Sequence, residues 1–100
     1  MKYLIELDPP VEAKNDFEKN PGLQKKMGEA FERMKPLAAW FTYRRGFVVV
    51  EANSSDELNK KLAPLFYILK TDLKVSPAFG LDEFPKIVAG LGEEARKYGL

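Results

Sequence analysis

Hydrophobic and polar residues alternate near both ends of the chain, in the pattern of half-buried strands. In residues 2–8, Tyr3 and Ile5 fall on one face and Leu4 and Glu6 on the other, and two prolines end the segment. Residues 69–75 alternate in the same way, with one face formed by Leu69, Thr71, Leu73 and Val75 and the other by Lys70, Asp72 and Lys74. Both segments are predicted to be strands.

Two further strands are predicted in residues 37–43 and 47–52. The first segment is apolar and aromatic, and the second contains three consecutive valines, which favour strands. Arg44, Arg45 and Gly46 lie between them, and Gly46 is free to adopt a positive φ in a tight turn. The two segments are therefore predicted to form a β-hairpin.

Apolar residues recur at helical spacing in three segments. The first helix is predicted over residues 21–35, between two prolines. The second begins at Ser54, which has capping-box spacing with Glu57, and Pro64 predicts a kink or break near residue 63. The third is predicted over residues 82–98.

The element order is β-α-β-β-α-β followed by a terminal helix, which is the ferredoxin-like pattern of an α+β fold. Right-handed crossovers place the antiparallel strands in the order 4-1-3-2, with both main helices on one face. Residues 11–20 are predicted to be a loop or a weak helical turn. We expect one domain over residues 1–100, with residues 1–76 as its core and 77–100 as a helical extension. Its bare sheet face would expose apolar residues, so we expect a homodimer that packs sheet to sheet.

The amino-acid composition excludes several kinds of reactive and metal-binding site. The chain has no cysteine, so it has no disulfide or thiol chemistry, and no histidine, the usual base near neutral pH and a common metal ligand. The net charge of +1, with both signs mixed along the chain, argues against a nucleic-acid partner. We predict no metal site and no cofactor.

No apolar run is long enough to cross a membrane. The N-terminal segment is too short and too charged for a signal peptide. We therefore expect a cytoplasmic protein with no membrane partner.

Two segments carry a family resemblance. Residues 58–75 read LNKKLAPLFYILKTDLKV, a helix with a Pro-Leu-Phe segment that leads into a charged strand. This segment resembles the muconolactone isomerase-like group of the dimeric α/β-barrel superfamily. Residues 39–58 read AWFTYRRGFVVVEANSSDEL. They resemble a related family of small bacterial and archaeal proteins of unknown function. The resemblance implies a ferredoxin-like dimer and a cofactor-independent isomerase or a related protein.

Candidate catalytic residues are carboxylates on the bare face of the sheet. Glu6 and Asp72 would meet there because strands one and four are predicted neighbours, and Lys70 or Lys74 would lie beside them. One interpretation is a cross-strand ion pair, and the other is a carboxylate pair that transfers protons. Glu51 is either a general base or an acceptor for backbone donors at the next helix start, and we favour the second.

Candidate ligand-binding residues cluster on the hairpin. Trp40 and Thr42 share one face of their strand, and the periodicity does not decide whether it faces the helices. Trp40 belongs either to the core or dimer interface, which we favour, or to the wall of a pocket. Tyr43 and Arg44 lie at the hairpin end, where an arginine either binds a carboxylate or, as we favour, is exposed without a specific role. Tyr67 lies either at a pocket mouth near Pro64 or simply in the packing, and Lys70 is the remaining candidate.

Three functions follow as hypotheses. The first is a dimeric protein that binds a small organic acid or lactone, either between sheet and helices or at the dimer interface. The second is a proton-transfer enzyme that uses Glu6, Asp72 or Glu51 as base. The third is an assembly module without a ligand.

Overall fold

The computed structural model describes residues 1–70 and 72–100. Within these ranges, the elements are β1 (Lys2–Leu7), α1 (Val11–Lys19), α2 (Pro21–Met34), β2 (Ala38–Phe41), β3 (Gly46–Glu51), α3 (Ser55–Leu69), β4 (Lys74–Ala78) and α4 (Phe84–Arg96). The strands form one antiparallel sheet in the order β2-β3-β1-β4, which is the predicted order read from the other edge. The predicted α+β fold is confirmed.

One face of the sheet forms the core together with α2 and α3. Ile5 of β1 and Val48 and Val50 of β3 are fully buried there. They belong to one cluster with Met34 of α2 and Leu65 of α3. Alternate residues of each strand point to this face, so the period-two pattern in the sequence identified it correctly.

The other face, which we call the open face, carries the intervening side chains in three rows across the sheet. The rows, from β2 or β3 towards β4, are Trp40-Phe47-Glu6-Lys74, Ala38-Val49-Leu4-Ser76 and Glu51-Lys2-Ala78. The four residues of β2 and β3 in the first two rows are apolar. Charged side chains concentrate on β1 and β4. The open face therefore has an apolar half and a polar half.

Residues 11–20 are predicted to be a loop or a weak helical turn, and that prediction is wrong, because helix α1 occupies Val11–Lys19. The helix gains its stability from tertiary contacts rather than from a strong local pattern. Its Ala13 is buried, and its Asp16 lies 3.3 Å from Lys70 Nζ beyond the end of α3. A mainly polar segment with few apolar positions gave little sign of this packing.

Of the kink or break predicted near residue 63, the break is wrong, because α3 continues through Pro64 to Leu69. Proline at this position removes the backbone bond to the carbonyl of Lys60, and Lys60 lies on the exposed side of the helix. Water can therefore donate a hydrogen bond to that carbonyl oxygen. Leu65 and Leu69 remain in the core on the opposite side.

The fourth strand begins later than predicted, at Lys74 rather than at residue 69. Leu69 is the last residue of α3 and is buried at helical spacing from Leu65. Lys70 then ends the helix in the left-handed conformation, with φ 52°. Thr71, which the prediction included in the strand, lies outside the described residues. The alternating pattern that predicted one strand thus includes the last residue of a helix, Leu69, and the first two residues of a strand, Lys74 and Val75.

Helix α4 also starts later than predicted, at Phe84. Hydrogen bonds from the N–H groups of Glu83 and Phe84 to the carbonyl of Gly80, at 3.1 and 3.0 Å, lead directly into the helix. Among the described residues, none in α4 is buried.

Candidate functional site

The hairpin end of the sheet is lined by two cavities. At this end β1 finishes at Leu7, which lies opposite Gly46 at the start of β3. Leu7 and Arg45 line both cavities. One cavity is mainly apolar and the other contains carboxylates, so we call them the apolar cavity and the acidic cavity.

The apolar cavity has a volume of about 390 Å³ and lies between the hairpin and helices α1 and α2. Its walls are apolar side chains from five elements: Leu7, Phe17, Met27, Phe31, Phe41 and Leu69. Phe31 and Phe41 contact each other edge to face, with ring centroids 6.1 Å apart. Such a wall suits the apolar part of a small organic molecule.

Three cationic side chains surround this apolar wall. They are Lys14 of α1 and Arg44 and Arg45 of the hairpin turn. Arg45 Nε lies 4.0 Å from Asp8 Oδ2, and both side chains are more than half exposed. Within residues 1–70 and 72–100, neither Lys14 nor Arg44 forms an ion pair. The cavity therefore has an excess of positive charge at its rim.

Thr42 fixes the turn that carries the two arginines. Its Oγ1 accepts hydrogen bonds from the backbone N–H groups of Arg44 and Arg45, at 3.4 and 3.0 Å. Its own N–H donates to the carbonyl of Arg45 at 2.8 Å. This local network fixes the backbone of the turn from which both arginine side chains extend.

Gly46 is required by close packing, and the predicted positive φ is wrong. Among the described residues, a positive φ occurs only at Lys35, Lys70 and Gly99. A Cβ atom at position 46 would lie 3.0 Å from two ring atoms of Phe41 and 3.1 Å from Leu7 Cδ1. Glycine thus allows the Phe41 ring to lie over the start of β3, where the ring forms part of the apolar wall.

The acidic cavity has a volume of about 340 Å³ and contains the first two predicted catalytic residues, Glu6 and Asp72. Asp8, Arg45 and Lys74 also line it. Glu6 lies opposite Lys74 in the register of β1 and β4, but within the described ranges these two side chains do not form an ion pair. Asp72 precedes β4 rather than belonging to it, but it still reaches the same cavity as Glu6.

The predicted ligand-binding residues of the hairpin divide into two groups. Thr42, Tyr43 and Arg44 line the apolar cavity. Trp40 lies on the open face opposite Phe47 and is 61% exposed. The face of β2 that the sequence left undecided is thereby assigned: Phe41 faces the helices and Trp40 faces away from them.

Tyr67 and Lys70 lie elsewhere. Tyr67 contacts Phe66 edge to face at 5.4 Å, beside a third cavity of about 470 Å³ between α3 and β4. The prediction that placed Lys70 on strand four is wrong, because Lys70 caps α3 and forms its ion pair with Asp16. Because α3 extends to Leu69, Lys70 lies at the end of a helix and not on the sheet face.

Glu51 lies at the other end of β3 and faces solvent opposite Lys2. The interpretation that it accepts backbone donors at the start of α3 is wrong, since Glu57 performs that role. The N–H of Asn53 donates to Glu57 Oε2 at 2.8 Å, and this bond holds the pKa of the Glu57 carboxyl below its ordinary value. Ser54 Oγ accepts from the Glu57 N–H at 3.1 Å, so the predicted cap is confirmed.

Sequence reasoning missed Lys14 and Phe17, because the sequence predicts only a loop or a weak helical turn over residues 11–20. One signal was present: Ala13 and Phe17 are four residues apart and fall on one face of a helix. No pattern in the sequence indicated that Arg45 lines both cavities, since this depends on how the turn is oriented.

In comparisons with known proteins, no family model matches the chain and no curated protein is significantly similar to it. No helix in the described part of the chain is long and apolar enough to cross a membrane. The fold is therefore shown by the structure itself, as a small α+β domain with a four-stranded antiparallel sheet.

Proposed function

We propose that the protein binds a small organic acid in the apolar cavity. The observation that carries this proposal is an apolar wall with three cations around it: Lys14, Arg44 and Arg45. The apolar part of the ligand would contact the two phenylalanine rings, and its carboxylate would lie at the rim. Burial of the apolar part supplies affinity, and the charged hydrogen bonds supply selectivity for an acid.

The dimensions of the cavity support a ligand of modest size. Small-molecule sites typically have volumes of about 300–1,000 Å³, and this cavity, at about 390 Å³, lies near the lower limit. A ring with a short acidic side chain suits such a volume. The excess of positive charge favours an acid over a neutral lactone, because a neutral ligand would leave the cations partly desolvated without compensation.

Binding is tested by calorimetry with phenylacetate and its neutral isostere phenylacetamide. We expect saturable binding of the acid and affinity at least about tenfold lower for the amide, because a charged hydrogen bond contributes about 1.5–3 kcal/mol. Substituting Lys14→Gln or Arg44→Gln should weaken binding of the acid about tenfold. Calorimetry is preferred to tryptophan fluorescence because Trp40 lies on the opposite face of the sheet.

Lys25→Gln is the matched control. It removes a lysine from the exposed side of α2, outside the residues that line the apolar cavity. Its affinity for phenylacetate should equal that of the wild type. Equal binding of the acid and the amide, or unchanged affinity in both Lys14→Gln and Arg44→Gln, would contradict the proposal.

A second candidate function is proton transfer in the acidic cavity. The observation that favours it is the presence of Glu6 and Asp72 around one cavity that shares Arg45 with the apolar one. An acid anchored at Arg45 would place its neighbouring carbon atoms near these carboxylates. Glu6 would then act as a base towards an acidic C–H bond.

Solvent hydrogen exchange tests this second function. We expect the wild type to catalyse deuterium incorporation into the α-carbon of a bound lactone or keto acid, and Glu6→Gln to abolish it. Glu12→Gln, on the exposed side of α1, should retain the wild-type rate. Equal exchange rates in Glu6→Gln and the wild type would exclude Glu6 as the base.

The resemblance to the muconolactone isomerase-like group is also a proposal. It is supported by the strand order and by the position of Pro64, Leu65 and Phe66 in the helix before the last strand. A distant relationship would fit a small cyclic acid as ligand.

A further inference from the structure

The side chains of α4 include an apolar stripe that contacts little of its own chain. The stripe consists of Phe84, Ile87, Val88, Leu91 and Ala95, which recur at spacings of three and four residues. Phe84, Val88 and Leu91 are 54%, 49% and 66% exposed. Within the described residues, α4 makes no extensive contact with another helix or strand. A helix with two internal glycines is weak by itself, so this stripe requires a partner surface.

Helix α4 extends away from the rest of the chain. The bonds from the N–H groups of Glu83 and Phe84 to the carbonyl of Gly80 join the preceding turn to the helix. The radius of gyration is 16.5 Å, whereas a compact chain of this length has about 13 Å. The molecule measures 53 × 25 × 23 Å. The helix therefore does not fold back onto the sheet or the other helices.

The apolar half of the open face is wide enough for one helix. A helix is about 10 Å wide, and strands lie about 4.8 Å apart, so one helix covers two strands. Ala38 and Trp40 of β2 and Phe47 and Val49 of β3 form two rows that lie about 7 Å apart along the strands. The stripe is about 17 Å long, so it is long enough to cover both rows.

The polar half of the open face opposes the sheet-to-sheet dimer that the sequence suggested. Packing two whole faces together would also bury Lys2, Glu6 and Lys74, and burial of charges costs several kcal/mol each unless they are well paired. A helix placed along β2 and β3 covers the apolar residues and leaves these charges in water.

We propose that α4 is an arm that packs on the apolar half of the open face of a second copy, and that two copies exchange their arms. Aromatic side chains bury about 150–250 Å² each, and Trp40 and Phe84 are 61% and 54% exposed. With the exposed aliphatic side chains, the stripe and the apolar half offer on the order of several hundred Å² per copy, against the roughly 800 Å² that each partner buries in a standard interface. The two-fold exchange makes each copy both donor and acceptor.

Sedimentation and the emission of Trp40, the sole tryptophan, test the proposal together. We expect a wild-type dimer in which Trp40 is shielded from water and becomes exposed on dilution. Leu91→Glu places a charge in the stripe and should raise the dissociation constant at least about 100-fold, since each dimer carries two altered arms. Ala89→Glu adds the same charge to the opposite side of α4 and should leave the dimer intact.

A mixing experiment distinguishes arm exchange from other dimers. Val49→Glu disables the acceptor face, and Leu91→Glu disables the arm. Each variant alone should be monomeric, but an equimolar mixture should form heterodimers, because one intact arm meets one intact face. A monomeric wild type, a Leu91→Glu variant that dimerises normally, or a mixture that fails to associate would overturn the proposal.

Discussion

Replacing Leu65 with alanine is expected to lower the free energy of unfolding by about 2–5 kcal/mol. Leu65 is fully buried on α3 and belongs to the same cluster as Ile5, Met34 and Val48. Alanine would remove apolar area and leave a cavity between the helix layer and the sheet, which these neighbours cannot fill completely. Because small domains are stable by only about 5–15 kcal/mol in total, this is a large fraction.

Urea denaturation at one fixed protein concentration measures the effect of this substitution. The midpoint should fall while the slope is retained, as expected for a change in stability alone. Leu100→Ala is the matched control, since Leu100 is 87% exposed, and it should change stability by less than about 0.5 kcal/mol. A Leu65→Ala variant as stable as the control would mean that α3 does not form this core.

Gly46→Ala is expected to destabilise the protein by about 1–3 kcal/mol, although its backbone conformation suits any residue. The new Cβ would lie 3.0 Å from Phe41 and 3.1 Å from Leu7. Leu7 is buried in the core, so the more exposed Phe41 ring has to shift, which disturbs its edge-to-face contact with Phe31. The same shift would open the apolar cavity and weaken binding of an acid there.

A double-mutant cycle isolates this steric cause. In Gly46→Ala/Phe41→Ala the ring is absent, so the combined loss of stability should be smaller than the sum of the two single losses by at least about 0.5 kcal/mol. Gly28→Ala is the matched control, because the described residues place no atom within 4 Å of a Cβ there. It lies inside α2 and should stabilise the protein by about 0.5–1 kcal/mol. Additive losses in the cycle would contradict the packing explanation.

The sequence alone was sufficient for the sheet order, the α3 cap and the buried face of β1. These features follow from local periodicity and from topological rules that hold for any chain with this element order. It also placed Glu6 and Asp72 near each other, since β1 and β4 are neighbours in that order. Each of these inferences depends on a pattern that recurs within a few residues.

The position of the apolar cavity and the residues around it depend on contacts between distant segments of the chain. Helix α1 forms because its Ala13 and Asp16 find partners elsewhere in the chain, and it then brings Lys14 and Phe17 to the hairpin. Gly46 is needed for the approach of the Phe41 ring, which no turn pattern could reveal. Contacts between distant segments depend on the shape of the whole fold, so local sequence patterns carry little information about them.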